Sequence, residues 1–129
     1  MNSVAQDIKD RLVAQGVGTF ATDLFVGDMP ETPDACVSVL DSPGYAPELR
    51  YEWDRPGCQI KIRGAEGGYR TAYTKAVAVK TALHGVANTT INGAIYKLIE
   101  AVHDPMYIGK DESNRPMFSI NFNIQRTSA

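Results

Sequence analysis

The side chains able to do acid–base, nucleophilic or metal chemistry in this 129-residue chain are few and scattered. His84 and His103 are its only histidines, and Glu100 and Asp104 beside the second are the raw material of a general base or a metal site. Such a site needs a base held within hydrogen-bond reach of a partner, and the spacing supplies none. His84 falls in the last turn of a predicted helix, where a donor or cation suits the free carbonyls and the dipole. His103, Asp104 and Pro105 mark the entrance to a turn. Cys36 and Cys58 form no CxxC or Cys/His pattern, so zinc is not indicated and both are expected to be buried thiols of a protein that folds in a reducing cytoplasm. Gly64, Gly67 and Gly68 precede a helix but match neither GxxxxGK[ST] nor GxGxxG, and Glu66 would set an anion beside a phosphate. Residues 110–115 are acidic but lack the calcium-loop spacing. The expectation is a chain with no catalytic residue, no cofactor and no metal, hence not an enzyme.

The formal charge is −2 and the isoelectric point about 5.6. There is no global basic field to drive duplex binding by counterion release, so specific nucleic-acid binding is not expected. Lys61 and Arg63 share one face of a predicted strand, with Arg70 nearby in sequence. Three charges are too few for a nucleic-acid surface, but they suit pairing with carboxylates across a subunit boundary, where they would set register more than affinity. Residues 42–57 contain Pro43, Gly44, Pro47, Pro56 and Gly57 and form a long loop. Loops of that length in a small domain are often interaction surfaces, and this one carries Tyr45, Arg50, Tyr51, Trp53 and Arg55, types enriched at protein interfaces. The charged turn with Lys110, Asp111, Glu112 and Arg115 is a second contact candidate, and residues 27–33 with Met29 a third.

These residues must be positioned by a mixed set of elements. With 43% hydrophobic and 22% charged residues, the chain has the composition of one soluble domain spanning residues 1–129. No apolar run approaches the ~20 residues of a membrane span, and no basic-then-apolar leader is present. Ser3 to Gln6 has the form of a capping box, and Val4, Ile8 and Leu12 continue as a helix ending at Gly16, with Asp7 and Arg11 an exposed i,i+4 pair. Residues 19–26 are aromatic and β-branched enough for a strand. Residues 35–41 and 58–63 follow as strands, the second with Cys58, Ile60 and Ile62 on one side. Tyr69, Ala72, Tyr73, Ala76, Val79 and Leu83 mark the inner face of a second helix. Residues 89–92 are extended, and residues 94–103 are assigned to a strand although their spacing also fits a helix. Residues 107–116 form a connecting turn. The last segment alternates cleanly, with Phe118, Ile120, Phe122 and Ile124 on one face and Ser119, Asn121, Asn123 and Gln125 on the other. The expected fold is α+β: a mixed, mainly antiparallel sheet with two main helices packed on it.

Taken in order, the starting helix, residues 33–41, residues 57–64, the second helix, residues 108–112 with Arg115, and residues 118–122 resemble the small tail terminators, or minor capsid proteins, of long-tailed (siphovirus-type) bacteriophages. That resemblance implies a structural virion protein, assembled in the host cytoplasm, that forms a homohexameric ring at the head-proximal end of the tail tube. Such a ring ends tube polymerisation and provides a head-tail joining surface. The implied partners are further copies of itself, the major tail tube protein and a head-completion or neck protein, with DNA passing through the ring. A ring of this type uses two different, complementary faces of each subunit. Competing readings are another neck or connector protein and, in a different class, a small ligand-binding domain or enzyme with the aromatic loop as a pocket wall.

Overall fold

A computed structural model describes residues 2–45 and 53–128. Helix α1 (Val4–Ala14) starts at the expected capping box: Ser3 Oγ accepts from the Gln6 N–H (3.2 Å) and Gln6 Oε1 from the Ser3 N–H (2.9 Å). Val4, Ile8 and Leu12 are buried. Helix α2 (Tyr69–Leu83) buries Ala72, Ala76, Val79 and Leu83. Small residues at 72 and 76 let it approach the sheet closely, which leaves Tyr69 and Tyr73 at the rim, about half exposed, and not in the core where the helical spacing had put them.

The strands are β1 (Leu24–Val26), β2 (Cys36–Ser42), β3 (Trp53–Asp54), β4 (Gly57–Arg63), β5 (Val86–Ile91), β6 (Ala94–Ala101), β7 (Met106–Lys110) and β8 (Pro116–Ser128). They form one sheet in the order β1-β2-β4-β8-β6-β5, antiparallel except where β1 runs beside β2. This is the expected α+β fold. The long β8 organises it. One edge of β8 pairs with β4 and then β3, and its other edge with β7 and then β6. The register sets Val37, Ile62 and Phe118 side by side, then Val39, Ile60 and Ile120, all buried on the face that receives both helices. At ~25 cal/mol per Å² this shared layer is the main source of stability. The opposite face is polar, with Gln59 Nε2 donating to Ser119 Oγ (3.2 Å).

Three local expectations are revised. Residues 19–23 form a turn in which the Thr19 carbonyl accepts from the N–H groups of Thr22, Asp23 and Leu24, and Asp23 Oδ1 accepts from the Thr19 N–H (2.7 Å). Local side-chain capping outcompetes β propensity there, so the strand shrinks to β1. Asp7 is fully buried and has no ion pair with Arg11; it accepts from the Tyr96 hydroxyl and from Asn92 Nδ2 (2.9 Å), with Arg126 at 3.9 Å. The segment taken as a turn is half strand: β7 pairs with the start of β8, and the turn itself is residues 111–115. The strand assignment for β6 holds.

Candidate assembly surfaces

Two buried guanidiniums fasten the loop between β1 and β2. Arg63, at the end of β4, donates through Nε to the Asp34 carbonyl (2.8 Å) and through Nη2 to the carbonyls of Pro30 and Pro33. Arg115, whose side chain is only 6% exposed, donates through Nη1 to the Glu31 carbonyl (2.7 Å) and Asp34 Oδ1 (3.2 Å) and through Nη2 to Glu31 Oε2 (3.1 Å). It is aimed by Asp111, which accepts from Arg115 Nε at 2.7 Å and from the backbone N–H groups of Ser113 and Arg115. The Arg115 N–H, reinforced by the adjacent guanidinium, holds the Asp111 carboxyl below the usual carboxylate range. Charges buried in this way are stable only because each donor has a carbonyl or carboxylate to meet.

These contacts tie the 111–115 turn to residues 30–34 at one end of the sheet. Between them lies an open groove on the polar face, lined by Met29, Leu40, Lys61, Asp111 and Met117. Five of the residues singled out from sequence therefore converge here: Met29, Lys61, Arg63, Asp111 and Arg115. The expected basic patch does not form. Arg63 is buried, Lys61 is half-buried on the polar face, and Arg70 is exposed on α2, which packs on the other face. Arg63 and Arg115 are thus positioning residues; Met29 and Lys61 are half-buried, and Lys110 and Glu112 are exposed.

The second candidate loop closes tightly at its base. The Tyr45 N–H donates to the Arg55 carbonyl (2.9 Å), and the Arg55 guanidinium lies 5.4 Å from the centre of the exposed Tyr45 ring. Gly44 has φ of 65°, and a Cβ there would come within 2.4 Å of the Arg55 carbonyl oxygen and the Gly57 nitrogen. Only glycine permits that crossing. Arg50 and Tyr51 lie outside the described residues. Trp53 is placed in β3 by its backbone pairing with Thr127.

Sequence reasoning missed the most apolar surface. Tyr69 and Tyr73 of α2 and Tyr107 of β7 surround the buried Phe118 ring at centroid distances of 5.1, 5.7 and 5.5 Å, and Tyr69 and Tyr107 meet edge-on at 5.1 Å. Met106, Tyr107 and Ile108 are each more than 40% exposed, as are Tyr69 and Tyr73. The signal was present in the adjacent Met106, Tyr107 and Ile108, but three consecutive apolar residues show no period.

The histidines serve the fold. His84 caps α2, and its Nδ1 accepts from the Ala101 N–H (3.0 Å); His103 Nε2 accepts from the Asn121 N–H (3.3 Å). Among the described residues no group of three or more His, Cys, Asp or Glu side chains is placed to hold a metal, and no helix is long and apolar enough to cross a membrane. Cys36 and Cys58 are free and buried, and burial raises both thiol pKa values.

Residues 11–128 match the family model described as bacteriophage tail terminator protein. The chain belongs to that family. It is therefore a structural component of the virion, at the tail or head-tail junction. Among solved structures, this terminator chain is similar to a chain from the virion of a native gene transfer agent particle, with a TM-score of 0.74 at 14% identity, over 98% of this chain and 96% of that one. A second solved chain superposes with a TM-score of 0.51 at 12% identity over 98% and 97% of the two chains. At such identities these likenesses speak to the fold alone. No curated protein sequence matches.

Proposed function

We propose that this tail terminator forms a closed homohexameric ring on the head-proximal end of the tail tube, stops addition of further tube protein, and presents its far side to a head-completion or neck protein. Its partners in this reading are other copies of itself, the major tail tube protein and the neck protein, with DNA passing through the ring unread. The work is done by shape and surface complementarity without bond chemistry. The observation that carries the reading is the family match across residues 11–128. The geometry supports it: the charged residues best placed for chemistry are spent on fixing loops, as Arg63 and Arg115 do at the β1–β2 loop, which builds a stiff rim suited to docking. A closing ring needs two unlike faces on each subunit.

The test is genetic. Interrupting the gene in its phage should yield tail tubes of irregular excess length that fail to join heads, rescued by the intact chain. Normal-length tubes that merely lack heads would reassign the protein to another neck position, and fully formed infectious particles would overturn the reading.

A further inference from the structure

We propose that Asn92 is a spontaneous deamidation site held in check by helix α1, and that its modification releases α1 from the β5–β6 hairpin. The inference stands apart from the ring reading above. Asn92–Gly93 is the only Asn-Gly pair in the chain. It forms the two-residue connection between β5 and β6, with Ile91 paired to Ala94 and both turn residues at positive φ (50° and 83°). Glycine sets no side chain beside its own nitrogen, so Gly93 N is the backbone nitrogen best able to attack an asparagine side chain here. In that reaction Gly93 N bonds to Cγ of Asn92 and gives up its proton, the Cγ–Nδ2 bond breaks, and the nitrogen leaves as ammonia with that proton. The product is a cyclic imide. Water then opens either C–N bond of the imide, leaving aspartate or isoaspartate at position 92. No oxidation state changes, and solvent water is the one co-reactant.

The surroundings of Asn92 oppose this chemistry while α1 is docked. Asn92 Nδ2 donates to Asp7 Oδ1 (2.9 Å) and to Asp10 Oδ2 (2.7 Å), so two carboxylates of α1 engage the carboxamide. Ring closure needs that group free to turn toward Gly93 N, and it builds negative charge on the carboxamide oxygen beside two anions, where such charge is disfavoured. Asp7 is fully buried and also accepts from the Tyr96 hydroxyl, so it cannot follow a moving side chain. Asn92 and Gly93 themselves are exposed, and solvent reaches them as soon as α1 lets go. The product then reverses the contact. A carboxylate at position 92 meets Asp7 and Asp10 where a donor had stood. Lys9 lies 2.6 Å from Asp10, and Arg126, shared with Asp54, lies 3.9 Å from Asp7, which leaves two cations among three anions at the hairpin. Buried Asp7 loses a donor and gains a like charge with no water to compensate. Isoaspartate adds a main-chain carbon to a two-residue turn whose length sets the β5–β6 register. One opening that lets the imide form therefore prevents α1 from docking as before.

The experiment incubates the full chain in mildly alkaline buffer, with and without guanidinium chloride, and follows Asn92 by peptide mapping for the amide-to-acid mass change and for isoaspartate. In denaturant Asn92 should be modified ahead of every other asparagine. In the native chain it should react at least ~10-fold more slowly, because the reaction then waits for local opening. Asp10→Ala removes one acceptor at a half-exposed residue, and circular dichroism and melting establish that it is folded. It is expected to raise the native rate ~3-fold or more, with Asp10→Asn, which keeps an acceptor without the charge, between the two. The product is tested by substitution: Asn92→Asp should melt below Asn92→Gly, which lacks the donor but adds no charge, and should show faster amide exchange along α1. Equal rates in the native and denatured chains overturn the proposal, as do Asp10→Ala and Asp10→Asn both reacting at the wild-type rate. Should Asp10→Ala melt far below wild type, Asp10→Asn decides. An Asn92→Asp chain as stable as Asn92→Gly, with α1 exchange unchanged, overturns the release of α1.

Discussion

Two outer strands lie along the same side of the sheet, β5 against β6 and β7 against the start of β8, and they are finished differently. Strand β5 carries Asn88, Thr89 and Thr90, breaks its ladder with Asn88 at φ 48° opposite a bulge in β6, and ends in an Asn92–Gly93 hairpin with both residues at positive φ. Asn92 then bonds to Asp7 and Asp10 of α1. Polar side chains, a distortion and an anchor are the means by which a sheet edge is kept from pairing with another chain. Strand β7 also carries a bulge, between Tyr107 and Gly109, and an exposed Lys110, but it leaves Met106, Tyr107 and Ile108 open. The difference teaches that one outer strand is anchored and polar while the other leaves apolar side chains exposed.

The comparison breaks most severely if the anchored side is dismantled. Asp7→Ala leaves the Tyr96 hydroxyl, Asn92 and the buried Arg126 without their shared acceptor. The expected loss is about 3 kcal/mol in urea unfolding. Next in size is the exposed strand. Met106→Lys/Ile108→Lys is expected to shift thermal stability by less than about 0.5 kcal/mol, and a loss equal to that of Asp7→Ala would invert the assignment.

A smaller effect separates the two sides by pH. The Asp111 carboxyl titrates lower in the folded chain than in the unfolded one. Its contribution is therefore present above the ordinary carboxylate value near ~4 and is lost as pH falls through the folded value. Thermal unfolding from pH 7 to 2 should show wild-type falling more steeply at the acid end than Asp111→Asn. On the β5 side the Tyr96 phenol is pushed upward, first by burial and then by its bond to Asp7. That contribution is complete below the ordinary phenol value near ~10 and fades as pH rises through the higher folded value, so Tyr96→Phe should flatten the alkaline limb. The smallest effect is expected from Thr90→Lys, an exposed change on the anchored strand, which should not alter melting.

What the sequence made legible was what local rules determine. The capping box at Ser3 and the two-residue alternation of β8 each involve neighbours within a few positions, and both appear as expected. Asp7 was misplaced because its partners Asn92 and Tyr96 are 85 and 89 residues away, and an i,i+4 rule cannot see them. Arg63 and Arg115 were classed as surface residues by side-chain type, yet Arg63 meets backbone carbonyls of the β1–β2 loop. Arg115 meets the Glu31 carbonyl and the carboxylates of Glu31, Asp34 and Asp111, of which all but Asp111 are 81 or 84 residues away in sequence. Their convergence with Met29, Lys61 and Asp111 was legible only as separate candidates. Strand β7 was hidden because it has no period and lies between Pro105 and a polar turn, so only its pairing with β8 reveals it.

Amide hydrogen exchange on the wild-type chain and on Asp7→Ala tests this account most directly. The outward N–H groups of residues 106–110 should exchange quickly in both, while exchange along β5 should be faster in Asp7→Ala. Exchange on β5 that Asp7→Ala leaves unchanged, with β7 altered instead, would contradict it.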